Sequence, residues 1–149
     1  MKPCRLKVIR DTDITYPEGN CRTPGLAAQY LRDNIFPKEE TWRENAYVLT
    51  LDNNLNVTGV LHLSMGGPTK TTFDERLMVK TAIDTFSNNI LVAHNHPSGG
   101  PVPSKADIET TQKMKRTVNA FGINLIDHII LGENTFYSFD TETVKPYKK

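Results

Sequence analysis

Apolar positions fall into blocks of two different periods along this chain, and the blocks predict its elements. Ala46 to Leu51 is an apolar run with strand-favouring Tyr47 and Val48, and Val57 to Met65 alternates, with Val57, Val60, Leu61 and Leu63 apolar. Asp52-Asn53-Asn54 reads as a turn between them, so the pair predicts a hairpin. Gly66-Gly67-Pro68 breaks the second arm. The period then changes. Leu77, Met78, Ala82, Ile83 and Phe86 recur at helical spacing over 74–86, and Asn88-Asn89 marks the end. Ile90 to Ala93 is short and continuously apolar, the pattern of a strand covered on both faces. Pro97 to Pro103 is a loop rich in glycine and proline. Beyond it, Ser104 to about Phe121 predicts a helix with Ile108, Met114, Val118 and Phe121 on one face and Lys113, Lys115 and Arg116 mostly outward. Gly122 suits the left-handed residue that follows a helix. Leu125 to Leu131 and Phe136 to Phe139 predict two more strands, with Gly132-Glu133-Asn134 turning between them.

The first forty residues are less patterned. Cys4 to Ile9 alternates weakly and is expected as an edge strand, and Tyr16 to Asn20 as a turn. Thr23-Pro24 pairs a capping residue with proline at the first helical position and opens a helix to about Phe36, ended by Pro37. Leu26, Tyr30 and Leu31 are expected on its apolar face. The expectation is therefore α/β: a mixed β-sheet flanked by helices over 41–149, with 1–40 as an N-terminal extension of edge strand and helix.

Composition narrows the function classes. Eighteen Lys and Arg against seventeen Asp and Glu leave a net charge of +1, which gives no electrostatic footprint for nucleic acid or a membrane surface. The two cysteines, Cys4 and Cys21, have no metal-binding spacing. No apolar run reaches the ~20 residues of a membrane span, and Met1 to Arg5 lacks the apolar stretch of a signal peptide. A reducing, cytoplasmic setting is the default expectation, without a membrane partner.

The densest chemistry is His94-Asn95-His96-Pro97-Ser98-Gly99, followed by Ser104-Lys105-Ala106-Asp107. Residues i and i+2 at a strand end share a face, so His94 and His96 converge. Pro97 stops the strand. Asp107, in the first turn of the next helix, can face back. Two neutral imidazoles and a carboxylate suit Zn²⁺, with a fourth position open to water. Each piece alone has a plainer reading: His-x-His pairs arise on surface strands, and Ser104-x-x-Asp107 is also a helix capping box. The two roles of Asp107 can coexist.

His-x-His, seven residues, Ser-x-x-Asp resembles the JAMM (MPN+) metalloprotease signature. Three separated stretches are similar to the RadC-like JAB domain: Ala93-His94-Asn95-His96-Pro97-Ser98-Gly99, then Pro103-Ser104-x-x-Asp107, then Leu125-Ile126-Asp127-His128-Ile129-Ile130. Tyr137-Ser138-Phe139 fits that domain's end, and the resemblance covers roughly 40–140. It implies a cytidine-deaminase-like layered domain and zinc on His94, His96 and Asp107. It further implies Glu44 as general base and Ser104 as a donor to a developing oxyanion or the metal water. The implied activity is hydrolysis of a peptide or isopeptide bond in a peptide or protein substrate. Two departures stand out. Residues 1–40 lack the Gly-rich helix-hairpin-helix pair that often precedes such domains, so DNA binding does not carry over with it. The family's usual Pro-Arg-Glu is replaced by Asp74-Glu75-Arg76.

Other residues take plainer expectations: His128 as a hydrogen-bonded core histidine, His62 on the surface, Asn95 bracing the loop from the opposite face, and Ser98 in a turn. Two further functions stay open: a DNA-associated protein, and a metal-binding interaction module without turnover. His-Asn-His invites comparison with HNH nucleases, but those spread their residues over a ββα unit. The pattern also leaves a homo-oligomer open.

Overall fold

The structure, a computed structural model, describes residues 1–38, 41–65 and 73–148. Among them, α1 (Pro24–Tyr30) runs on into a π-helical turn (Leu31–Ile35). There follow β1 (Asn45–Leu51), β2 (Val57–Met65), α2 (Glu75–Asp84), β3 (Asn89–Asn95), α3 (Lys105–Asn119), β4 (Asn124–Leu131), β5 (Thr135–Ser138) and β6 (Thr143–Pro146). The strands form one six-stranded sheet in the order β2-β1-β3-β4-β5-β6. β3 and β4 are parallel, joined by α3 as the crossover, and the other neighbours are antiparallel. This is the expected mixed α/β sheet.

Strand side chains alternate between faces, and two cores result. Tyr47, Leu49, Leu51, Leu91, Ala93, Ile129 and Leu131 pack with Ala27, Ala28, Tyr30, Leu31 and Ile35 of the first helical segment. Ala46, Val48, Ile90 and Val92 pack on the other face with Met78, Val79 and Ala82 of α2 and Met114 and Val118 of α3. β3 lies between the two cores, which is why its sequence is apolar without alternation. Helices on both faces make three layers.

The helices begin where side chains satisfy free backbone N–H groups. Thr23 accepts from Leu26 N before Pro24, Asp74 accepts from Arg76 N, and Ser104 opens α3. Gly122, at φ 71°, takes the left-handed position after α3.

Several expectations need correction. Residues 4–9 form no strand, and no helix or strand is formed over 1–19; the isolated pairing of Asn20 with Asn56 is the first β contact. The first helix shares one core with β1, β3 and β4. Leu26, Leu77, Ile83, Phe86, Ile108 and Phe121, expected on buried faces, are exposed. β6 was not anticipated, and β5 starts and ends one residue early. The break at Gly66-Gly67-Pro68 lies outside the described residues. Both cysteines are free thiols; Cys4 is exposed, and burial pushes that of Cys21 up to about 12. Among the described residues, no helix is long and apolar enough to cross a membrane.

Candidate metal centre

His94 is the next-to-last residue of β3, between Ala46 of β1 and Ile130 of β4 in register. It is fully buried, on the face covered by α2 and α3. His96 lies one residue past the strand and returns to the same side, as i+2 spacing requires. The loop after it is pinned by backbone bonds: His96 N donates to Leu131 O (3.1 Å), Gly99 N to His96 O (2.9 Å) and Glu133 N to Gly99 O (2.8 Å). A Cβ on Gly132 would stand 2.5 Å from Gly99 O and 2.8 Å from Thr135 O, so the loop seats this closely only against glycine. The loop delivers the chain to α3. There Ser104 Oγ accepts from Asp107 N (3.0 Å), and Asp107 Oδ2 accepts from Ser104 N (2.8 Å). This reciprocal box aims the Asp107 carboxylate backwards, towards the histidines.

Three groups meet there. His94 Nε2 is 3.1 Å from His96 Nε2, His94 Nε2 is 3.3 Å from Asp107 Oδ1, and His96 Nε2 is 3.1 Å from Asp107 Oδ2. A tetrahedral metal with nitrogen and oxygen ligands at about 2.0–2.2 Å separates its donors by roughly 3.3–3.5 Å. The donor set fits one such ion, and these three residues can hold it. His96 is further suited because Nδ1 donates to Gly100 O (2.9 Å), which leaves Nε2 as the bare nitrogen. Burial disfavours charge on Asp107, but its contacts with His94 and His96 and the hydrogen bond from Ser104 N outweigh it and hold the carboxyl well below its usual range. Burial likewise works against a charged His96, yet its bonds to Asp107 and Gly100 and the nearby carboxylates raise its pKa. An ionised Asp107 beside His96, whose pKa is raised, makes their meeting point favourable to positive charge.

Glu44, two residues before Ala46, falls on the same face. It is buried, with Oε1 3.7 Å from His94 Nε2. Burial raises its pKa, partly offset by the histidines. Its position is held from behind. Asn95, facing the other way between the two histidines, accepts from Asn45 N (2.7 Å) and donates to Arg43 O (2.9 Å). One amide thus clamps the backbone on both sides of Glu44, which is more specific than the loop brace expected of Asn95.

His128 is a fully buried, hydrogen-bonded histidine, as expected, but its bonds connect it to the cluster. Its Nε2 lies 2.7 Å from His94 Nδ1, and its Nδ1 2.6 Å from Thr111 Oγ1. Phe139 stacks on it, and Phe73 meets both His94 and His128 edge-on. Burial lowers its pKa well below that of a free imidazole. Thr111 escaped the sequence reading. Its one signal was its place four residues after Asp107, on the same helix face. Ser104 is exposed at the rim of the cluster. His62 is exposed, stacked on Tyr47. Ser98 sits in the turn closed by Gly99 N, and Lys113 reaches Glu75 (3.4 Å) across the surface of α2 and α3.

Comparison with known proteins identifies relatives of this chain. Residues 21–144 match the family described as RadC-like JAB domain. A UPF0758 protein of Thermotoga maritima is 37% identical over 100 residues, 67% of this chain and 45% of the relative. One of Porphyromonas gingivalis is 36% identical over 107 residues, 71% and 45% of the two chains. One of Carboxydothermus hydrogenoformans is 35% identical over 123 residues, 83% and 53% of the two. The chain spans about half the length of these relatives.

Proposed function

Because the chain belongs to the RadC-like JAB domain family, we propose that it is a zinc-dependent hydrolase of peptide or isopeptide bonds, with the ion on His94, His96 and Asp107. The observation that carries this reading is the meeting of two imidazole nitrogens and a carboxylate beside a further buried carboxylate, Glu44. Two nitrogens and one oxygen suit zinc better than a hard, oxygen-seeking cation, and three protein ligands leave a position open. When bound, the ion supplies a water acidified towards neutrality and a Lewis acid for the scissile carbonyl.

The protein's own groups do the rest. Glu44 takes a proton from the attacking water and returns it to the leaving nitrogen, a role its raised pKa favours. Ser104 Oγ receives Asp107 N–H in the cap, so its own proton remains to be donated to the oxyanion forming on the substrate. His96 and Asp107 are the partly exposed members of the cluster, and substrate approaches from their side.

A panel of peptide and isopeptide substrates tests the proposal. Wild type is expected to cleave at least one, and Glu44→Gln to lose on the order of 10²–10⁴-fold in rate while keeping its zinc. Equal rates in the two proteins would remove Glu44 from the chemistry. Bound zinc with no cleavage of any substrate would support an interaction module, and a salt-dependent shift of labelled DNA a DNA-associated role.

A further inference from the structure

Thr111 and His128 form a chain of hydrogen bonds that runs from the Asp107 carbonyl to His94, and the chain has a direction. A threonine hydroxyl carries one proton. Thr111 Oγ1 lies 2.7 Å from Asp107 O, a carbonyl that can only accept, so the proton is committed there. The hydroxyl then offers only a lone pair to His128 Nδ1, 2.6 Å away, and His128 must donate from Nδ1. His128 is enclosed between Phe73 and Phe139, surroundings that suit a neutral ring. A neutral imidazole that donates from Nδ1 accepts at Nε2. The proton on the 2.7 Å bond to His94 therefore belongs to His94 Nδ1.

Resting on the metal reading above, we infer that Thr111 and His128 are positioning residues that fix His94 as its Nδ1–H tautomer and so present a bare Nε2 to the ion. His96 gets the same setting from one backbone carbonyl, Gly100 O. His94 is at the closed end of the site, where among the described residues its Nδ1 meets His128 and not a backbone carbonyl, and two side chains serve instead. The relay also ties the site together mechanically. Thr111 and Asp107 share the first turns of α3, His128 is on β4 and His94 on β3, so the ring orientation of His94 depends on all three elements.

Two readouts test this. One is the tautomer of His94 in the metal-free chain above pH 8, read from the nitrogen shifts of the ring by NMR. The other is zinc affinity, by chelator competition, in wild type, Thr111→Val, Thr111→Ser and His128→Phe, with circular dichroism to confirm the fold of each. The expected result is an Nδ1–H His94 in wild type, a mixture of tautomers in Thr111→Val, and zinc binding weakened about 10–100-fold in Thr111→Val and His128→Phe. Thr111→Ser keeps the hydroxyl and is expected to recover binding to within about threefold. A merely structural Thr111 would change stability without moving the tautomer. An Nε2–H His94 in wild type, or wild-type zinc affinity in a folded Thr111→Val, overturns the relay while leaving the site itself standing. Failure of wild type to take up zinc overturns the metal reading instead, and the tautomer still decides the relay.

Discussion

Asn95 and Glu44 illustrate how much of this site is set by residues that never face it. The Asn95 amide is matched in both directions, accepting from one backbone N–H and donating to one carbonyl, and those two groups flank Glu44. Aspartate at this position keeps an acceptor for Asn45 N but turns a second oxygen towards Arg43 O. Asn95→Asp is therefore expected to hold its zinc, lose about tenfold or more in turnover through misplacement of Glu44, and lose roughly 1–3 kcal/mol of stability. Zinc analysis, steady-state rates and urea melts on the same preparation check this; turnover equal to wild type would leave Asn95 a loop brace and nothing more. At this scale the sequence was informative where spacing alone decides geometry. His94, His96 and Asp107 follow from strand alternation and a helix start. Glu44 came through family resemblance, because its closeness to His94 depends on the pairing of β1 with β3, which no local pattern encodes. Thr111 was missed for the same reason: its partner on β4 is seventeen residues away.

At the scale of elements, Asp127 on β4 binds the sheet to the turn that follows β5. Its carboxylate accepts from His128 N (2.7 Å), Ser138 Oγ (2.6 Å) and Asp140 N (3.0 Å). Burial nevertheless raises its pKa from 3.8 to about 6, outweighing the donors. Between those values the folded chain holds a proton that the unfolded chain has released. Stability from this group is thus greatest below about 3.8 and falls as pH rises to 6, by up to roughly 3 kcal/mol. Asp127→Asn cannot titrate. The stability gap between wild type and this variant, from urea midpoints at pH 4 to 7, is expected to be widest at pH 4 and to narrow as pH rises; a constant gap would show that Asp127 does not titrate in this window. Element identity was legible wherever a cap or a clean period was present: Thr23 and Ser104 marked two helix starts, helical spacing marked α2, and alternation marked the hairpin. Two failures have physical reasons. Residues 4–9 have a strand's pattern without a pairing partner among the described residues, and alternation by itself forms no ladder. β6 is four residues with a lysine and a proline, and exists because β5 offers an edge.

For the whole molecule, periodicity predicted which helix stripes are apolar but not how far the neighbouring layer extends over them. Met78, Ala82, Met114 and Val118 reach the sheet, while Leu77, Ile83, Phe86, Ile108 and Phe121 lie outside its cover. The first helix, in turn, fills one side of the sheet that later strands build. That three-layer arrangement makes the site. Sheet register brings β3 beside the start of β1, the crossover to β4 returns α3 over the strand ends, and the glycine-proline loop sets Asp107 against both histidines. The most direct measurement of the central claim is zinc per chain by elemental analysis on wild type and His96→Ala purified in parallel. The account predicts about one zinc in wild type, as three converging protein ligands require, and little in the variant. No zinc in wild type after zinc is offered and excess removed, or the same zinc in both proteins, would contradict it.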